Sequence, residues 1–228
     1  IPSGSVAVIG AGNASVVTSS SDITLMSATS KANIIIENLL FSSSAMTTAT
    51  KSCLSIDTCN QFFISHCFFT TGGGTGVTMN ACANGTISDC IFTGTTAAAV
   101  NITGSGNGNT AQNNYVTGCT TSGIIVNGGN HHVVRGNKVG NCTQSGIKVS
   151  AGTSHILEGN TCTANTQSGI HIAASSRSLI SNNNCEDNVQ HGILLASGSR
   201  CTITGNICES NDSLATASYD GINLSASD

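Results

Sequence analysis

Four consecutive stretches of the chain can be laid on one another: GIIVNGGNHHVVRGNKVGNCTQS from Gly123, GIKVSAGTSHILEGNTCTANTQS from Gly146, GIHIAASSRSLISNNNCEDNVQH from Gly169 and GILLASGSRCTITGNICESND from Gly192. A unit of 23 residues is too short to bury an apolar face by itself, so such units must stack on their neighbours. Working outward, equivalent starts fall at Asp22, Cys53, Gly76 and Ala99 and, on the other side, at Gly221. The two long spacings mark Ser/Thr/Ala-rich insertions near residues 42–49 and 212–218.

Counting each start as zero, positions +1 and +3 are Ile23/Leu25, Leu54/Ile56, Val77/Met79, Val100/Ile102, Ile124/Val126, Ile147/Val149, Ile170/Ile172, Ile193/Leu195 and Ile222/Leu224. All are apolar, and the residue between them is mostly polar, the alternation of a strand buried on one face. A second apolar column runs Ile35, Ile64, Ile87, Ala111, Val134, Leu157, Ile180, Ile203. A third runs Leu40, Phe69, Phe92, Val116, Val139, Cys162, Cys185, Cys208. Three short strands per repeat, in register, predict an all-β coil with three parallel sheets. At ~4.8 Å between stacked strands the coils make a rod roughly 45 Å long.

Between the second and third strands runs a polar column, Asn38, Cys67, Cys90, Asn114, Asn137, Asn160, Asn183 and Asn206, and at the next turn Asn165, Asn188 and Asn211 follow Cys119 and Cys142. Asn tolerates left-handed backbone geometry, and its amide can bond the same group one coil above. On these G-I-x-V and asparagine columns, residues 22–228 resemble the right-handed parallel β-helix, or pectate-lyase-like, superfamily. The opening IPSGSVAVIGAGNASVV resembles the first coil of pectate-lyase-like and phage-tailspike chains. The expectation is one β-helix domain over 1–228, a fragment of a longer chain. A leucine-rich repeat has a similar length but requires Leu at several fixed positions, where this chain has Ile, Val and Cys.

Composition narrows the function. Charged residues are 8% of the chain and the net charge is -4, with seven Lys plus Arg, which argues against the basic stripe that a nucleic acid partner needs. No apolar run approaches the ~20 residues of a membrane-spanning helix, so membrane insertion is not expected. The VAVIGAG of Val6–Gly12 imitates a dinucleotide-binding turn, but Ser15 stands at the third glycine position and a β-branched, Ser-rich run follows where an amphipathic helix is required. No cofactor is expected.

Nine of the eleven cysteines align with another cysteine one repeat away, leaving Cys53 and Cys201 outside. Inward thiols behave as small hydrophobes, no zinc spacing is present, and buried free thiols suit assembly in a reducing cytosol, as for a virus particle. Stacked cysteines also lie within bridging distance. His132 and His155 align, with His131 adjacent, but Ser178 and Cys201 continue that column, which favours a structural pair over a metal site. Six Asn-x-Ser/Thr sequons, the first at Asn13, carry little information in so polar a chain. Thr70, Thr93, Thr117 and Thr163 form an outward row that Gly140 interrupts, which argues against an ice-binding surface.

The resemblance implies that any chemistry lies on the outer surface, where side chains from adjacent coils converge. Glu186 and Glu209 share one outward position on successive coils, with Asp187 beside Glu186; stacking would bring them near the ~5 Å spacing of a retaining glycosidase pair. His191 and Asp220 share the turn before the first strand, and Lys148 and His171 lie on its outer face. The expectation is Glu186 and Glu209 as the catalytic candidates, with Lys148, His171, Asp187, His191 and Asp220 binding substrate and no metal. Against catalysis, the Asn-Thr-Asp, Asp-Asp, Gly-His-Gly and Arg-Ile-Lys motifs of polygalacturonases and an Asp cluster for calcium are absent, as is Trp.

The balance predicts a non-catalytic rod of a surface, fibre or tailspike-like protein, extracellular or on a cell or virion surface, presenting a polar face to a polysaccharide or another partner. The competing expectation is a polysaccharide lyase or glycoside hydrolase domain. Tailspike-like relatives imply a homotrimer, with the two insertions as candidates for lateral contact.

Overall fold

The computed structural model describes residues 5–12, 15–48, 50–71, 74–95, 97–212 and 218–225. These form three nine-stranded sheets and, among the described residues, no helix. Each sheet takes every third strand in chain order, and its neighbouring strands pair in parallel. The first sheet runs from Val6–Ile9 to Thr202–Thr204, the second from Val16–Thr18 to Ile207–Glu209 and the third from Met26–Thr29 to Ile222–Leu224. Spacing of 23 residues places like on like: Ile124 pairs with Ile147, Ile147 with Ile170 and Ile170 with Ile193.

The interior is a set of columns. The third sheet contributes Leu54/Ile56 through Ile193/Leu195, all buried, while Ile222 and Leu224, on the end strand of that sheet, are exposed. The second sheet contributes a ring stack, Phe41 on Phe69 at 4.8 Å and Phe69 on Phe92 at 4.5 Å between centroids, continued by Val116, Val139, Cys162 and Cys185. All eleven cysteines are thiols, and nine of them are buried.

At the first corner the asparagines bond in series. Asn137 donates its backbone N–H and its Nδ2 to Asn160 Oδ1, both at 3.0 Å, and Asn160 Nδ2 donates to Val134 O at 2.9 Å. The unit repeats from Asn160 to Asn183 and from Asn183 to Asn206. At the next corner Asn165 and Asn188 do the same toward Asn188 and Asn211. Each amide thereby satisfies a turn N–H and a strand carbonyl that burial would otherwise leave orphaned.

The coil containing residues 22–48 departs from the sequence expectation. Met26 and Ala28, not Ile23 and Leu25, lie opposite Leu54 and Ile56, and Ile23 is 48% exposed. Ile36 rather than Ile35 pairs with Ile64, and Phe41 rather than Leu40 pairs with Phe69. Leu39 is buried where the polar column was expected to place Asn38, which instead takes a left-handed turn position with φ 55°. The cause is phase. Ile34–Ile36 and Leu39–Phe41 are unbroken apolar runs, and a run without polar partners does not say which parity faces inward.

The first insertion packs onto the rod. Met46 is buried, and Asp22 accepts the hydroxyl of Thr48 and the backbone N–H groups of Thr47 and Thr48, which draws the Asp22 carboxyl below its ordinary pKa. Residues 213–217 of the second insertion, and Asn13 of the first sequon, lie outside the described residues.

Candidate functional site

The sequence-predicted residues divide between two faces. Glu186 and Glu209 are register partners on the outer face of the second sheet, and Glu186 accepts a hydrogen bond from Asn184 Nδ2 at 2.8 Å. Asp187 follows in a left-handed turn, φ 55°, and its N–H donates to Glu209 O at 3.3 Å. Lys148 and His171 are register partners on the third sheet.

His171 is half-buried; loss of solvent, then the charges of Lys148 and His191, hold its pKa below the ordinary histidine value. His191 is buried at the turn leading to that sheet. Its Nδ1 accepts the backbone N–H of Asp220 at 2.9 Å, its ring meets Tyr219 edge-on at 5.1 Å, and the Asp220 carboxylate stands 4.0 Å away. Lys148, His171, His191 and Asp220 are thus one neighbourhood, built on the third sheet and the turn before it. The Glu186/Glu209 pair belongs to the second sheet. Among the described residues no group of three His, Cys, Asp or Glu side chains gathers for a metal.

His132 and His155 stack with centroids 5.3 Å apart, and each Nδ1 accepts a backbone N–H one coil back, from Asn109 at 3.1 Å and from His132 at 3.2 Å. This use of Nδ1 leaves the proton on Nε2, which in His155 donates to Ala151 O at 3.2 Å. The imidazoles therefore serve the backbone of the corner.

A polar notch on the second sheet was not foreseen. Two outward rows run along this sheet. One reads Phe68, Ile91, Tyr115, Lys138, Thr161, and the other reads Thr70, Thr93, Thr117, Gly140, Thr163. Where Gly140 removes a side chain from the second row, a depression of about 230 Å³ opens, lined by Tyr115, Thr117, Lys138, Gly140, Asn141 and Thr163. Lys138 Nζ lies 5.9 Å from the Tyr115 ring centroid, and Tyr115 is 43% exposed. Asn141 Nδ2 donates to Thr117 Oγ1 at 3.3 Å. In the sequence the only sign of this notch was the break in the threonine row at Gly140.

The sequence profile described as right handed beta helix region matches residues 98–228. A search of curated proteins finds no match. Among solved structures, the chain is similar to a double mutant of the periplasmic alginate epimerase AlgG, with TM-score 0.67 and 14% identity over 81% of this chain and 56% of that one. A second mutant structure of AlgG gives TM-score 0.56 and 14% identity over 76% of this chain and 53% of that one. PfbA, a surface adhesin of Streptococcus pneumoniae, gives TM-score 0.53 and 10% identity over 81% of this chain and 69% of that one. The chain thus spans little more than half the length of the AlgG chains it matches.

Proposed function

The chain belongs to the right handed beta helix family, and from that premise we propose that it is a non-catalytic rod of a surface, fibre or tailspike-like protein whose outer polar face binds a glycan. An epimerase and an adhesin are both similar to it in fold, so the coil alone does not choose between catalysis and binding; the side chains must. The observation that carries the reading is the outer face of the second sheet. It carries a row of threonine hydroxyls, Thr70, Thr93, Thr117 and Thr163, beside Tyr115 and Lys138. Hydroxyl groups that recur from coil to coil can bond the repeating hydroxyls of a polysaccharide laid along the rod. The turns beside this face are short: Gly136 and Asn137 alone separate Val133–Arg135 from Lys138–Gly140. In this reading the protein works outside the cell or on a cell or virion surface, as a homotrimer.

The Lys148, His171, His191 and Asp220 neighbourhood favours a second reading, a lyase or hydrolase. A histidine kept neutral beside a lysine is a base next to a cation, the pair needed to take a proton from a carbon activated by a carboxylate. One experiment separates the two. The purified chain is presented with a panel of neutral and acidic polysaccharides, and both binding and product formation are followed. Binding without new reducing ends or unsaturated products supports the rod. Turnover lost in His171→Ala, or in Glu186→Gln or Glu209→Gln, supports the enzyme and overturns the preference. Light scattering tests the trimer.

A further inference from the structure

We infer that Cys185 and Cys208 are a redox-closable pair, which a small disulfide oxidant converts from two thiols into a bridge between the last two strands of the second sheet. This goes beyond the proposed function and does not depend on what the outer face binds.

Register makes the pair. Cys162, Cys185 and Cys208 are Cα partners on three successive strands, Thr161–Thr163, Asn184–Glu186 and Ile207–Glu209. One rung is ~4.8 Å, inside the roughly 4.4–6.8 Å between Cα atoms that a disulfide spans. The thiols of Cys185 and Cys208 already share a hydrogen bond, so the sulfurs have only to turn toward each other. Beside them stand Gly169 and Gly192, which contribute no side chain; a Cβ there would lie 2.9 Å from Cys185 Cβ and 2.8 Å from Cys208 Cβ. The two backbones are pinned in phase, since Asn211 Nδ2 donates to Cys185 O at 2.8 Å and Ile207 N–H donates to Asn183 O at 2.8 Å. Groups held in this way react as if at high concentration.

Access selects this pair from the others. Cys59 and Cys82, Cys67 and Cys90, and Cys119 and Cys142 also stand one repeat apart, but all six are buried. In the column of three, Cys162 and Cys185 are buried, while Cys208, on the end strand of the sheet, is partly exposed. Cys201 is the other partly exposed cysteine, and its column continues with Ser178 and His155, so no thiol lies one rung away.

The chemistry is two thiol–disulfide exchanges. The Cys208 thiolate attacks one sulfur of the oxidant and one small thiol leaves. Cys185, on losing its proton, attacks the Cys208 sulfur of that mixed disulfide, and the second small thiol leaves. The two protein thiols thus give up two electrons and two protons, and the oxidant becomes two thiols. Glu186 and Glu209 follow the two cysteines on the outer face, which favours a cationic oxidant such as cystamine. The bridge stays open in a reducing compartment and closes once the chain has left it.

The test is incubation of the folded Cys201→Ser chain with cystamine at mildly alkaline pH, followed by intact mass and peptide mapping. The chain should lose the mass of two hydrogens, with the bridge mapped to Cys185 and Cys208 and reopened by dithiothreitol. Adding Cys208→Ser should abolish the loss. Adding Cys185→Ser should arrest the reaction as a single cysteamine adduct on Cys208, and Cys162→Ser should change nothing. Melting temperatures of the reduced variants equal to that of the parent exclude misfolding; where a variant melts early, slower amide exchange of Ile207–Glu209 in the oxidised parent carries the same test. A bridge mapped to another pair, or one that survives Cys208→Ser, overturns the inference. So does a cysteamine adduct that persists on Cys208 while Cys185 is present, or a folded chain that cystamine leaves unchanged.

Discussion

His155 gives its Nδ1 to the backbone N–H of His132 at 3.2 Å, the same task that Asn160 performs with Oδ1 for Asn137 at the first corner. An imidazole can accept there only while neutral, whereas an amide is indifferent to pH.

Stability should therefore fall in acid. Burial, then the neighbouring charge of His155, lowers the His132 pKa to about 4 from an ordinary 6.5, and burial lowers that of His155 as well. The unfolded chain takes up these protons near 6.5 while the folded chain resists until about 4. The contribution is complete above pH 6.5, is lost progressively below it and levels off under about 4. For His132 alone this is on the order of 3 kcal/mol. Urea midpoints between pH 7.5 and 4 measure it, and His132→Asn should flatten the profile. An equally steep profile in that variant would refute the assignment.

Asn160→Ala should be among the costliest single changes. It removes the acceptor for two donors of Asn137 and the donor to Val134 O, all buried. Each orphaned buried group costs about 1–3 kcal/mol, so a loss of at least about 3 kcal/mol is expected. The same change at Asn206, which is half-buried, should cost less. Denaturant melts of the two variants side by side give the comparison.

Gly85 and Phe62 should be energetically coupled. A Cβ on Gly85 would stand 1.9 Å from Phe62 Cζ, and Phe62 is buried. Gly85→Ala alone should destabilise by about 1–3 kcal/mol through overpacking. In the Phe62→Leu background the same change should cost less, and a double-mutant cycle reads the difference. Strict additivity would show that the ring does not occupy the glycine's space.

Thiol chemistry should follow burial. Cys201 and Cys208 are partly exposed and the other nine are buried. A hydrogen bond with Cys185, then burial, pushes the Cys208 thiol well up, and burial pushes Cys82 up to about 11. Only thiolates attack disulfide reagents. In the native state Cys201 should label with Ellman's reagent first, with Cys208 much slower, and full reaction of all eleven thiols should require denaturant. Rapid native labelling of several thiols would contradict the packing.

Beyond Cys53 the strand columns were legible where a single inward residue, such as Ala111 or Cys162, is flanked by polar outward ones, which fixes parity. Ile34–Ile36 and Leu39–Phe41 lack that contrast, and there a one-residue slip flips each side chain. The grouping of Lys148 with His171 was legible from their 23-residue spacing. The notch was not, because what makes it is a missing side chain at Gly140, and a sequence pattern records glycine as an interruption rather than as a space.

The uniform step between Gly123, Gly146, Gly169 and Gly192 makes length a discrete variable. Excising residues 147–169 would join Gly146 to Ile170, carry each column across the junction in phase, and shorten the rod by one rung of ~4.8 Å. The carboxylates of Glu186 and Glu209 would then stand one rung nearer Lys138. Separation between features on this surface is thus written as an integer number of coils, so insertion or loss of a whole coil respaces them like teeth on a rack without redesigning either one.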